Sequence, residues 1–220
     1  MKLNPVQALR NLDEIVLDGT QKVVDKAYKQ GYDKWDLATL CSKTSSISFL
    51  GVGIYDMILG YYTDNGTTMG AGALIAAIAI ATYKPYLKKI EDKRNLELKL
   101  MENGCAVSQK DSKASRVLFL SIGISGLAYE SYCLISGQEI PIITPDGITY
   151  PEEVQTAGKL AGTFVYLYYI FDTARNYLES TIGKPPIKDR KPIYQRIKEK
   201  VLSLLPQPTP QPIPIPVNND

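Results

Sequence analysis

A chain of 220 residues with 25 basic and 23 acidic side chains is long enough for one domain or one small bundle with appendages, and too nearly neutral to suggest a nucleic-acid binder. It has no histidine, which removes the commonest metal ligand, the usual general base and any Ser-His or Cys-His nucleophile pair. Cys41, Cys105 and Cys133 are widely spaced and odd in number, which argues against a disulfide framework or a zinc site.

Residues 1–43 read as a cytoplasmic, amphipathic helical region. Asn4-Pro5 is a helix start, and Val6, Leu9, Leu12, Val16, Val23 and Ala27 then recur at helical spacing up to Gly31, a plausible stop. Asp13, Glu14, Asp18 and Asp25 fall among lysines on the polar face, a mixed charge that favours packing on protein over binding to lipid. The opening MKLNPVQALRNLDEIVLDG is too acidic for a cleaved signal peptide, so the first membrane helix is expected to direct insertion. Asp33 predicts the cap of a short helix carrying Trp35, the only tryptophan, either as an anchor at the water–lipid interface or as a packing residue.

Residues 44–178 predict a four-helix transmembrane domain with spans at 44–62, 67–83, 115–136 and 157–178. The second, TTMGAGALIAAIAIATY, carries no charge. The mean hydropathy of −0.11 is low only because long charged segments dilute it. Lysine and arginine crowd the flank before the first span, the segment between the second and third, and the segment after the fourth; 63–66 and 137–156 contain neither. That alternation predicts both termini on the cytoplasmic side. A soluble bundle has no reason to segregate its charge in this way.

Between the spans, 84–114 predicts a cytoplasmic helical extension ending near Asn103-Gly104, with Pro85 as a place for a kink and Lys88/Asp92 and Lys93/Glu97 spaced for i,i+4 pairs. It reads as a solvated charged stalk or as a docking surface for the N-terminal helix or a partner. The outer loop 137–156 turns at Pro145-Asp146-Gly147 and predicts a small β-hairpin-like flap. Asn65-Gly66-Thr67 matches a glycosylation sequon at the membrane surface. Residues 179–205 predict a basic amphipathic helix on the cytoplasmic side, and 206–220, PQPTPQPIPIPVNND, an extended proline-rich tail.

Small residues recur through the spans: Gly51 and Gly53, Gly70 and Gly72, Gly123 and Gly126, and Gly158 with Gly162 in a GxxxG spacing. They let helices approach closely, which is a main source of association in lipid. A carboxylate at bilayer depth costs on the order of 3 kcal/mol on insertion scales, so Asp56 and Glu130 must be protonated, paired or wet. Asp172 and Arg175 are spaced to pair with one another, and Lys159 is placed to meet Glu130 or to snorkel. With no broken-helix signature, inverted repeat or ring of like charges, the favoured reading is that Asp56 hydrogen-bonds a tyrosine or serine of a neighbouring helix and fixes packing; the alternative is an ion path along Asp56 and Glu130 with hydroxyls from Tyr55, Tyr129, Tyr132, Tyr166, Tyr168 and Tyr169.

No GxSxG, P-loop, HExxH or metal-ligand cluster occurs, so the sequence predicts no enzyme, cofactor or metal. The expectation is an all-α polytopic membrane protein that serves as a structural or accessory subunit of a larger assembly, cellular or in a membrane-containing virion. Its partners are other membrane subunits or further copies of itself, and lipid, with no nucleic acid or small-molecule substrate. The alternative is a small homo-oligomeric channel, carrier or holin-like pore using Asp56 and Glu130.

Overall fold

The computed structural model describes residues 4–105, 113–137, 152–182 and 184, which form an all-helical structure of five helices: α1 (Pro5–Lys29), α2 (Lys34–Tyr62), α3 (Gly66–Glu102), α4 (Ala114–Ser136) and α5 (Glu152–Ser180). The expected flap at 138–151 and the expected helix and proline-rich tail beyond residue 184 lie outside the described residues. Three helices, α2, α3 and α4, are long and apolar enough to cross a membrane. α5 matches α2 in length but carries Lys159, Asp172, Arg175 and Glu179.

Local chemistry fixes the helix ends. Asn4 Oδ1 accepts from the Val6 N–H at 3.1 Å, with Pro5 in the first turn, so α1 begins where Asn4-Pro5 predicts. It ends in a Schellman arrangement, Gly31 N–H to Tyr28 O and Tyr32 N–H to Ala27 O, which needs the left-handed φ of 81° that glycine adopts without strain. Asp33 and Asp36 form a reciprocal capping box at the start of α2. Asn65 Oδ1 accepts from the N–H groups of Thr67 and Thr68, so the asparagine of the sequon is the cap of α3.

One expectation changes here: the short helix expected to carry Trp35 and the first span are one continuous helix of 29 residues. The second span runs on through Pro85 into its extension as its sequence predicts, a continuous helix of 37 residues, about 55 Å at 1.5 Å per residue.

The four long helices stand in an open row in the order α3, α2, α5, α4: α2 packs on α3 and α5, and α5 also on α4. α1 lies across one end, against α4, α5 and α2. At that end α2 and α4 begin and α3 and α5 finish. This is the polar end of the row. A small apolar core ties it together, formed by Val24 of α1, Trp35 and Ala38 of α2, Ile90 of α3 and Leu178 of α5.

The burial of α1 is rotated from the expected stripe. Its buried residues are Asp13, Leu17 and Val24, while Val6, Leu12 and Val23 are exposed. The stripe was read from apolar side chains alone, whereas a buried ion pair to Asp13 decides which face turns inward.

Candidate functional site

The polar end holds four linked sets of charged side chains. Asp13, fully buried, takes Arg116 of α4 through Nε at 3.1 Å and Nη2 at 2.7 Å, the Tyr177 hydroxyl of α5 at 2.7 Å and the Lys113 backbone N–H at 2.9 Å. Burial pushes its carboxyl up, but those hydrogen bonds and the Arg116 charge outweigh that and leave it below the ordinary aspartate value. Beside it, Arg116 Nη1–H donates to Ser180 Oγ at 2.6 Å, and its guanidinium lies over the Tyr177 ring. Three helices meet on one carboxylate.

The second set joins α2, α3 and the end of α5. Lys34 Nζ lies 2.9 Å from Glu97 Oε1 and donates to Thr181 O at 3.2 Å, while the Trp35 indole N–H donates to Glu97 Oε2 at 2.6 Å. Lys34 and Glu97 are only 5% and 3% exposed in their side chains, so each would be costly without the other. Trp35 is therefore enclosed by protein, 5% exposed in the core of the polar end. Arg94 stands 3.6 Å from Asp33 in the same region.

The third set joins α3 to α5: Lys93 with Glu179, Arg175 with both Asp172 at 2.9 Å and Glu179 at 3.3 Å, and the Tyr86 hydroxyl donating to Asp172 at 2.9 Å. The Asp172–Arg175 pair forms at its expected spacing. The i,i+4 pairing of Lys93 with Glu97 does not, because each finds a partner on another helix. The fourth set ties α1 to the residues after α5, through reciprocal bonds between the Gln21 amide and the Ile182 backbone and through Lys184 with Asp25 at 3.4 Å.

Away from this end the seams are built on glycine. A Cβ on Gly53 would lie 2.6 Å from the Ala76 nitrogen, and one on Gly72 2.6 Å from both Gly53 O and the Met57 nitrogen, so α2 and α3 touch backbone to backbone. Gly51 faces the Phe164 ring of α5, Gly123 faces Ile170 and the Tyr166 carbonyl, and Gly126 lies under the Tyr166 ring. Gly162 leaves room for the Glu130 carboxylate. Gly70 is exposed and meets open space within this chain, and Gly158 is half-buried on α5.

The two carboxylates carried within the apolar helices α2 and α4, Asp56 and Glu130, lie apart. Asp56 is half-buried on the α2/α3 seam beside Gly72, and no hydrogen bond or ion pair engages it among the described residues. Glu130 is 6% exposed on the α4/α5 seam, with Oε2 lacking a hydrogen-bond partner. Lys159 is also buried, at 9%, yet forms no ion pair with it among the described residues. With α5 between α2 and α4 in the row, Asp56 and Glu130 form no acid pair in one copy. The tyrosines divide likewise: Tyr55 stacks on Phe164 and Tyr168 meets Phe49, whereas Tyr129 and Tyr132 of α4 point outward.

Asp13, Arg116, Tyr177, Lys34 and Glu97 were not legible as a site. The one local signal was a carboxylate, Asp13, four residues before Leu17 on what becomes the buried face of α1. The chain matches no protein-family model, and no curated protein and no solved structure is measurably similar to it.

Proposed function

We propose that this chain is an integral membrane subunit that packs and anchors a larger membrane assembly, with α2 to α5 as four crossings and both termini on the cytoplasmic side. One observation carries the reading: large aliphatic side chains point outward along the middle of the row while small residues fill its seams. Leu74, Ile78 and Ile80 of α3 and Ile122 and Ile124 of α4 are all exposed, whereas Gly72, Ala76 and Ala79 are buried. In water that is the wrong way round, and in lipid it is the expected way.

Chain direction supports the fourth crossing. α4 leaves the polar end and α5 returns to it, as the Arg116–Ser180 bond requires, which is the path of a chain that crosses on α4 and crosses back on α5. The polarity of α5 fits its inner position between α2 and α4, where Asp172 and Arg175 meet protein rather than lipid.

The assembly role rests on the open edges of the row. Gly70, Ala73, Ala77 and Ala81 line an exposed small-residue track on α3, a surface on which another helix can approach closely. The proline-rich tail, 206–220, is proposed as an extended arm for a partner in the same assembly.

A second reading, a homo-oligomeric channel, carrier or holin-like pore, draws on Asp56 and on Glu130 Oε2. Both lack partners within the described chain, and a carboxylate at that depth takes one from another copy or from water. The mass and composition of the complex extracted from its native membrane in mild detergent separate the two. Other proteins in fixed stoichiometry support the assembly role. A homo-oligomer alone would sink it and make ion flux through Asp56→Asn liposomes the next test.

A further inference from the structure

α3 stands at one edge of the row with α2 as its main neighbour, and a groove of about 580 Å³ runs between these two helices. Ile47 and Leu50 of α2 and Ala79 and Ile80 of α3 line its apolar stretch, in which Ala79 is buried while Ile47 and Ile80 are exposed. Towards the polar end the lining passes to Tyr83, Lys84 and Pro85. Among the described residues of the lining, Lys84 alone is charged.

Lys84 is exposed and enters no hydrogen bond or ion pair among the described residues. Pro85 adds a second polar feature. It has no N–H, so the carbonyl of Ala81, four residues back on the same lining, lacks its α-helical donor. A ligand following the groove towards the polar end leaves an apolar trough and meets an ammonium group and a carbonyl in want of a donor. Length then selects the ligand. From Ala79 to Pro85 the groove covers about 9 Å of α3 at 1.5 Å per residue, a third of a hydrocarbon core of about 30 Å. A helix crossing beside α3 needs the full height, whereas the upper part of an acyl chain beneath its head group needs only this.

We propose that this groove seats one acyl chain of an anionic phospholipid from the leaflet on the polar-end side, with the phosphate on Lys84 and a head-group hydroxyl at the Ala81 carbonyl. The proposal rests on the membrane reading, which sets Lys84, next after the uncharged run 67–83, at head-group depth. A zwitterionic lipid fills the apolar stretch equally well but leaves Lys84 facing a head group of no net charge.

The full chain is reconstituted in mixed bilayers containing trace phosphatidylglycerol or phosphatidylcholine with a diazirine in the upper part of one acyl chain, and adducts are located by peptide mass spectrometry after illumination. Adducts are expected on residues 46–50 and 79–81, about fivefold more from phosphatidylglycerol, the scale of one cation near a head group. Lys84→Gln is expected to bring the two lipids level, and Ser46→Phe, which fills the trough from α2, to remove adducts of both. Lys99→Gln, at an exposed position of α3 outside the groove, leaves both unchanged. Adducts spread evenly over the outward faces of α3 and α4, equal yields from the two lipids, or indifference to either groove substitution would overturn the proposal. So would labelling seen with the purified chain but not in native membranes, which assigns the groove to a partner's helix. Alkaline washing separates this from the reading beneath it. A chain that stays in washed membranes without groove labelling loses the groove alone; a chain washed free loses the membrane reading and the lipid with it.

Discussion

The polar end and the middle of the helix row solve the same packing problem with opposite materials. At the polar end, long charged side chains are buried and made affordable by partners on other helices: Asp13 with Arg116, and Lys34 with Glu97. In the middle, contact is made by removing side chains, as at Gly53 and Gly72, and the bulky aliphatics face outward. The first device is specific, since each charge needs its own partner. The second is permissive, because a glycine seam accepts any smooth neighbour. The polar end therefore sets which helices meet, and the seams set how closely.

The sharpest way to break this contrast is Arg116→Met, which strands Asp13 in protein. It is expected to cost about 3–5 kcal/mol, read as a large fall in thermal midpoint in detergent, whereas the double variant Asp13→Leu/Arg116→Met recovers most of the loss. A double variant no better than the single one would show that the pair does not act as a unit. In the middle, Gly53→Val forces α2 off the α3 backbone at an expected cost of about 1–3 kcal/mol. Gly70→Val, facing open space in the same helix pair, is expected to change the stability of the isolated chain by less than about 0.5 kcal/mol.

A smaller effect sharpens the polar side. Trp35→Phe keeps the ring in its core but leaves Glu97 Oε2 without its indole donor, an expected cost of about 1–2 kcal/mol. Because Trp35 is the only tryptophan, its fluorescence is also expected to resist quenching by brominated lipids; strong quenching would return the indole to the lipid boundary.

The smallest effect is a pH dependence. The Asp13 carboxyl is held below the ordinary aspartate value of 3.8, so its stabilisation is fully present above that pH and is lost as pH falls through the lower folded value. Wild-type protein should lose stability below about pH 4 more steeply than Asp13→Asn does, measured as thermal midpoint against pH. Parallel curves would remove Asp13 from the account.

Much of the fold is written locally. Asn4-Pro5 and Gly31 bound α1, Asn103 and Gly104 close α3, and charge alternation separates the ends of the helices from their apolar middles. The seam glycines are legible as a class but not one by one, since Gly70 and Gly72 differ only in which side of α3 meets α2. Pairing within α5 was legible, since Asp172 and Arg175 meet at their i,i+3 spacing, but pairing between helices was not, for a physical reason. Lys93 and Glu97 have correct local spacing, but a buried partner on another helix outcompetes a solvated neighbour. The face of α1 failed likewise, because Asp13 turns inward for Arg116, which lies 103 residues away in sequence.

The most direct test of a polar end on one side of a membrane is thiol labelling in sealed, right-side-out vesicles with an impermeant reagent. Native Cys105, exposed just past the polar end of α3, is compared with Asp64→Cys and Gly137→Cys at the far ends of α2 and α4. The account predicts that both introduced thiols react from outside and that Cys105 reacts only after the vesicles are opened. Labelling of Cys105 together with either introduced thiol in sealed vesicles would contradict it.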